Sequence, residues 1–107
     1  MIFRRKVRYL MVEASGHVAM NDPQKVDALK RELFSFLGEL PYFKANPQVA
    51  AQLNDNVFVI SVNRGYERNT ALALAFAKRL DGRKIGFYTI KTSGTIRSIK
   101  EAFWKLY

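Results

Sequence analysis

Cysteine is absent from this chain of 107 residues, and histidine occurs once, at His17. Without Cys there is no thiolate zinc site, no thiol nucleophile and no disulfide framework, and a single His excludes His-rich metal sites and His-pair proton relays. Carboxylates are scarce too: nine Asp and Glu stand against 18 Lys and Arg, a formal charge of +9. The nine (Glu13, Asp22, Asp27, Glu32, Glu39, Asp55, Glu67, Asp81, Glu101) are scattered, whereas a two-metal nuclease needs several clustered together. No P-loop or nucleophile-elbow motif occurs. The longest uninterrupted apolar run, Ala71 to Ala77, has seven residues, far short of the roughly 20 that span a bilayer. The basic start, Met1 to Lys6, is followed by neither a charge-free apolar stretch nor a small-residue cleavage site, so no secretory signal, no membrane partner and a cytoplasmic location are expected.

What is present is core material. Hydrophobic residues make up 49% of the sequence, and a chain of this length buries roughly 65% of its unfolded surface. No repeat, low-complexity tract or linker divides it, so residues 1–107 are expected to form a single domain, with 1–6 as a flexible basic arm.

Val7 to Val12 alternates with both faces largely apolar, a strand. Asn21 and Asp22 ahead of Pro23 mark a helix start, and Val26, Leu29, Leu33 and Leu37, with Phe36 and Leu40 beside them, recur at helical spacing until Gly38 and Pro41 end the helix. Tyr42 to Leu53 reads as an irregular edge strand, joined through the Asn54-Asp55-Asn56 turn to the strand Val57 to Val62 in a hairpin. Asn69 to Leu80 reads as a well-buried helix stopped by Asp81-Gly82. Lys84 to Lys91 is the next strand, and Ile96, Ile99, Phe103 and Leu106 space out a last helix. The order βαββαβ plus a C-terminal helix predicts an α+β, ferredoxin-like sandwich with an antiparallel sheet, the plan also used by RNA-recognition domains.

A positive excess of this size points to a polyanionic partner. Residues 56–107 carry a net of +7 against +2 for residues 1–55. Three clusters stand out. Arg4, Arg5, Lys6 and Arg8 lie on an extended segment where each cation can displace a counterion from phosphates, though they would serve equally as a solvated leader. Arg64, Tyr66 and Arg68 lead from a strand into a helix and offer guanidinium groups and a stacking ring; the plainer alternative is an ordinary helix start with Glu67 pairing a neighbouring Arg. The third cluster is Lys91, Ser93, Gly94, Thr95, Arg97 and Lys100. Ser93 and Thr95 are good N-cap residues, and Gly94 would let the backbone bend so that successive N–H groups converge on an anion. Arg97, Lys100, Trp104 and Tyr107 share one stripe of the last helix, suited to a nucleic-acid backbone with partial stacking, or to solvent with Trp104 half-packed on the sheet. The strand Val57 to Val62 lacks the exposed aromatics with which RNA-recognition domains stack single-stranded bases, so folded RNA read through phosphates and riboses is the expected ligand. Phe3, Tyr42, Phe43 and the outer face of the Asn69 to Leu80 helix are candidates for a protein contact.

The segment Thr92-Ser93-Gly94-Thr95-Ile96-Arg97-Ser98-Ile99-Lys100 resembles the small protein subunits of archaeal and eukaryotic ribonuclease P, the Pop-five and Rpp-fourteen family, in which a strand runs into a Ser-Gly-Thr-Ile-Arg or Lys motif and a helix. Lys6, Arg8, Tyr9 and Leu10, then Leu37-Gly38-Glu39, Lys44 to Pro47, and Asn63 to Tyr66 extend the similarity over nearly the whole chain. Arg64 to Arg68 departs from it, carrying more charge than the family's Pro-Arg-Glu-Tyr type of strand end. The resemblance implies a non-catalytic subunit of ribonuclease P that binds the catalytic RNA and supports removal of the 5′ leader from precursor tRNA. It implies that RNA performs the cleavage with Mg²⁺, and that a TIM-barrel-type protein subunit is a partner, in an assembly built on a homodimer or a heterotetramer. A stand-alone metal-dependent RNA nuclease and a ribosomal or general RNA-binding protein are the alternatives.

Overall fold

The computed structural model describes residues 6–107. Along them run β1 (Val7–Ala14), α1 (Pro23–Leu37), α2 (Glu39–Ala45), β2 (Gln48–Gln52), β3 (Val57–Asn63), α3 (Glu67–Phe76), β4 (Arg79–Leu80), β5 (Arg83–Lys84), β6 (Phe87–Ser93) and α4 (Ile96–Leu106). Four strands make one antiparallel sheet in the order β2-β3-β1-β6, and β4 and β5 form a separate small hairpin. This is the expected α+β sandwich.

The sequence dictates which strands lie inside. β1 and β3 are apolar on both faces, so both must be covered on both sides, and they pair at the centre with Leu10 opposite Ile60, Met11 opposite Val59 and Val12 opposite Phe58. One face (Leu10, Val12, Phe58, Ile60, Val62) packs with Leu29 and Leu33 of α1 and Leu74 of α3 in the larger core. The other (Met11, Val57, Val59) meets Ile99 and Phe103 of α4. Each of these side chains contributes about 1.5–3 kcal/mol on leaving water. The C-terminal helix therefore occupies the sheet face on which RNA-recognition domains stack bases.

Four expectations are corrected. Gly38 does end α1, at φ 86° with its N–H on the Phe34 carbonyl, but Pro41 stops nothing. It lies in the first turn of α2, where a missing N–H is harmless. Tyr42 to Ala45 is thus helical, and only Gln48–Gln52 forms the edge strand, because left-handed Asn46 (φ 46°) turns the chain before Pro47. The third helix stops at Phe76 rather than Leu80, since Asp81 and Gly82 both take positive φ (52° and 80°) and fold Arg79–Lys84 into a hairpin. That helix buries only Thr70, Ala73 and Leu74 along its length and leaves Leu72 and Phe76 exposed. Finally, the last strand runs from Phe87 to Ser93, later than the expected Lys84 to Lys91, with a bulge where it passes Met11 and Val12.

Candidate nucleic-acid interface

Antiparallel pairing puts the start of β1 beside the ends of β3 and β6: Val7 stands opposite Asn63, and Tyr9 opposite Ser93. α3 and α4 start from those same strand ends. The Arg64 N–H donates to the Lys6 carbonyl at 2.9 Å, tying the second cluster to the first. The three basic clusters, distant in sequence, therefore share one end of the sheet. Lys6, Arg64, Arg68, Lys91, Arg97 and Lys100 are exposed there, and Arg8 and Tyr66 are half-buried. Arg4, Arg5 and Phe3 lie outside the described residues.

In the Ser93-Gly94-Thr95 motif the Ser93 hydroxyl accepts from the Thr95 N–H (3.3 Å), and Thr95, the N-cap of α4, accepts from the Ser98 N–H (3.2 Å). Those bonds take two of the motif's N–H groups, Thr95 and Ser98, which are then not free for an anion. Nor does Gly94 supply a left-handed bend, for its φ is not positive. What it supplies is room: a Cβ on Gly94 would stand 3.0 Å from Nη1 of Arg8. The helix start still favours negative charge through its dipole, and Arg8, Arg97 and Lys100 surround it with cations. Arg97 meets Glu101 through Nε at 3.3 Å, but its side chain is 90% exposed, so the pair is weak and competes poorly with a phosphate.

Gly65 takes φ 102° in the turn before α3, and its N–H donates to both carboxylate oxygens of Glu67 at 3.2 Å. Glu67 is thereby held on its own turn instead of pairing Arg64 or Arg68, and no ion pair among the described residues involves either arginine. Lys44 belongs to this end as well, since the Asn63 side-chain amide donates to its carbonyl at 2.7 Å. Lys44 is named in the sequence only within the Lys44 to Pro47 similarity and not as a site residue; the Asn46-Pro47 break just after it was the available signal for a helix end there. Glu13, Asp55 and Asp22, by contrast, lie toward the far ends of the strands, near Val57 and the start of α1.

The expected stripe of α4 is only partly realised. Trp104 is 76% exposed, with its ring edge-on to Phe103. Tyr107 instead stacks on Phe103 at 4.9 Å and donates its hydroxyl to the Glu13 carboxylate, which pushes its pKa up to about 12. Leu106 is exposed, so the buried stripe narrows to Ile99 and Phe103. His17 has Nδ1 3.5 Å from Asp55, both on the surface. Among the described residues no three of His, Asp and Glu could hold a metal ion.

Apolar side chains gather outside α1, α2 and α3. Phe36 stacks on Phe76 at 5.2 Å beside exposed Leu72, and Phe34, Tyr42 and Phe43 meet edge to face next to exposed Leu40. Of the residues singled out in the sequence, Phe43 and the outer face of α3 are exposed, and Tyr42 is half-buried against the larger core. Phe34, Phe36 and Leu40 do not stand out in the sequence because their spacing matches a core stripe.

The sequence model of the Rpp14/Pop5 family matches residues 8–104, which takes in Arg8 and the whole of the second and third basic clusters. The chain belongs to the Rpp14/Pop5 family. Membership makes it a protein subunit of the ribonuclease P/MRP type. Among solved structures, a chain in the cryo-EM structure of yeast ribonuclease MRP shares its fold with a TM-score of 0.63 at 11% identity, the match covering 98% of this chain and 96% of that one. No curated protein sequence matches significantly.

Proposed function

We propose that this subunit docks on the catalytic RNA of a ribonuclease P through the basic end of its sheet and so supports removal of the 5′ leader from precursor tRNA. The observation that carries the reading is the convergence of Lys6, Arg8, Arg64, Arg68, Arg97 and Lys100 at one strand end, while α4 seals the face that would otherwise stack bases. A sealed sheet and a cationic rim suit folded RNA contacted through its backbone. Among the described residues there are no clustered carboxylates for metal-assisted hydrolysis, so the Mg²⁺ of the reaction belongs with the RNA in this reading. The exposed apolar faces of α1, α2 and α3 take the protein partner, a TIM-barrel-type subunit, in an assembly built on a homodimer or heterotetramer in the cytoplasm.

Reconstitution tests it. Purified protein mixed with precursor tRNA and Mg²⁺ leaves the substrate intact, and adding ribonuclease P RNA and the partner proteins gives cleavage at the 5′ junction that weakens when Arg8 and Arg97 are both changed to Ala. Cleavage by the protein alone would replace this reading with that of a nuclease.

A further inference from the structure

Besides Lys105 in α4, four of the ten basic residues after residue 55 belong to none of the three clusters: Lys78, Arg79, Arg83 and Lys84, all in or beside the β4–β5 hairpin. They lie near the start of β6, so the length of the sheet, roughly 23 Å for eight strand residues, separates them from the basic end. Their neighbours set them apart from an ordinary solvated run. Asp81, the hairpin's acid, is engaged by Lys25 Nζ (3.1 Å) and the Gln24 side-chain amide (3.2 Å). Arg83 donates to the His17 carbonyl at 2.6 Å and so pins the loop after β1. Lys78, Arg79 and Lys84 are left exposed, and none of them is in an ion pair among the described residues.

Beside these lysines runs a groove of about 300 Å³, lined by Ser15, Ala75, Lys78, Lys84, Gly86 and Tyr88 among others, with no carboxylate in its wall. That volume is at the small end of ligand clefts. Its floor is rigid, because Ser15 and Gly86 exchange two hydrogen bonds: Ser15 N–H to the Gly86 carbonyl and Gly86 N–H to the Ser15 hydroxyl, both 2.8 Å. The Ile85 N–H on the Lys78 carbonyl (2.9 Å) fixes the hairpin above it. Tyr88 lies along the Gly86 backbone, where a Cβ would come within 3.4 Å of its hydroxyl, yet the residue is 63% exposed. An exposed aromatic ring beside two free ammonium groups is the minimum a single nucleotide needs, a stacking surface and phosphate neutralisation on either side.

We propose that the Lys78–Lys84–Tyr88 groove is a second RNA site, taking one unpaired nucleotide with its base on Tyr88 and its flanking phosphates on Lys78 and Lys84. It rests on the reading of this chain as an RNA-docking subunit and adds to it: the protein would bridge two separate RNA segments, backbone at one end of the sheet and a splayed nucleotide at the other. Ser15 contributes a hydroxyl donor within reach of the ribose or phosphate.

The test uses ¹⁵N-labelled protein and an oligouridylate of about ten nucleotides. Amide shifts at Lys84, Gly86 and Tyr88 are expected, and are abolished in Tyr88→Ala and in Lys78→Ala/Lys84→Ala while shifts at Gly94 and Ser98 persist. With full-length ribonuclease P RNA, Lys78→Ala/Lys84→Ala weakens binding several-fold and lowers the salt slope by about 1.4, or roughly 0.7 for each single-strand phosphate left without its lysine. Shifts confined to Gly94 and Ser98, with an unchanged slope in the lysine variant, overturn the second site and leave the basic end standing. Shifts at Tyr88 with normal RNA binding by Arg8→Ala/Arg97→Ala support the second site and overturn the basic end instead.

Discussion

The guanidinium of Arg8 lies over Gly94, so close that a methyl group on Gly94 would stand 3.0 Å from Nη1. Arg8 stands near the start of the first strand and Gly94 just past the end of the last, 86 positions later. A glycine is needed here for the space it leaves. Gly94→Ala is expected to push Arg8 aside, a movement its long side chain makes cheaply. The fold should hold within about 2 °C in Tm, while affinity for ribonuclease P RNA falls by about fivefold, the scale of one weakened phosphate interaction. Thermal melting and filter binding on the same variant check both halves.

Tyr107 and Glu13 give a second expectation. The hydrogen bond to the Glu13 carboxylate is the main cause, with burial and the carboxylate's charge adding to it, and together they hold the Tyr107 pKa at about 12. Its ordinary value, near 10, is recovered on unfolding. The folded protein then retains a proton that the unfolded chain gives up, so this contribution to stability is complete below pH 10 and is lost as pH rises toward 12. Ultraviolet titration of tyrosinate should show a component near pH 12 that is absent in Tyr107→Phe.

Thr70 is fully buried in α3, and its hydroxyl oxygen finds no partner among the described residues. An unpaired buried hydroxyl costs about 1–3 kcal/mol. Thr70→Val removes it at nearly equal volume and with no loss of helix propensity, and an increase of about 1 kcal/mol in unfolding free energy by urea denaturation is expected.

Long-range patterning was legible where both faces of an element are demanded by packing. The two-faced apolar runs of β1 and β3 announced the centre of the sheet, and Ile99 and Phe103 announced a covering helix. Local turn chemistry was harder. Asp81-Gly82 reads equally as a helix stop or a hairpin turn, and what decides is that both residues can take positive φ while Leu80 and Ile85 find places in the core. Pro41 reads as a terminator until a helix restarts right after Gly38. The basic clusters were visible one at a time; their union was not, because it depends on the register that sets Val7 against Asn63 and Tyr9 against Ser93. Tyr107 misled for a related reason, since spacing placed it on the outer stripe and only Glu13, 94 residues away, draws it inward.

The central claim is that one strand end carries the RNA. The most direct measurement is the salt dependence of binding to ribonuclease P RNA, compared between the natural protein and Arg8→Ala/Arg97→Ala. Removing two phosphate-binding cations from one site should lower the slope of log affinity against log salt by about 1.4–1.8 and weaken binding at every salt concentration. An unchanged slope and affinity would contradict the account.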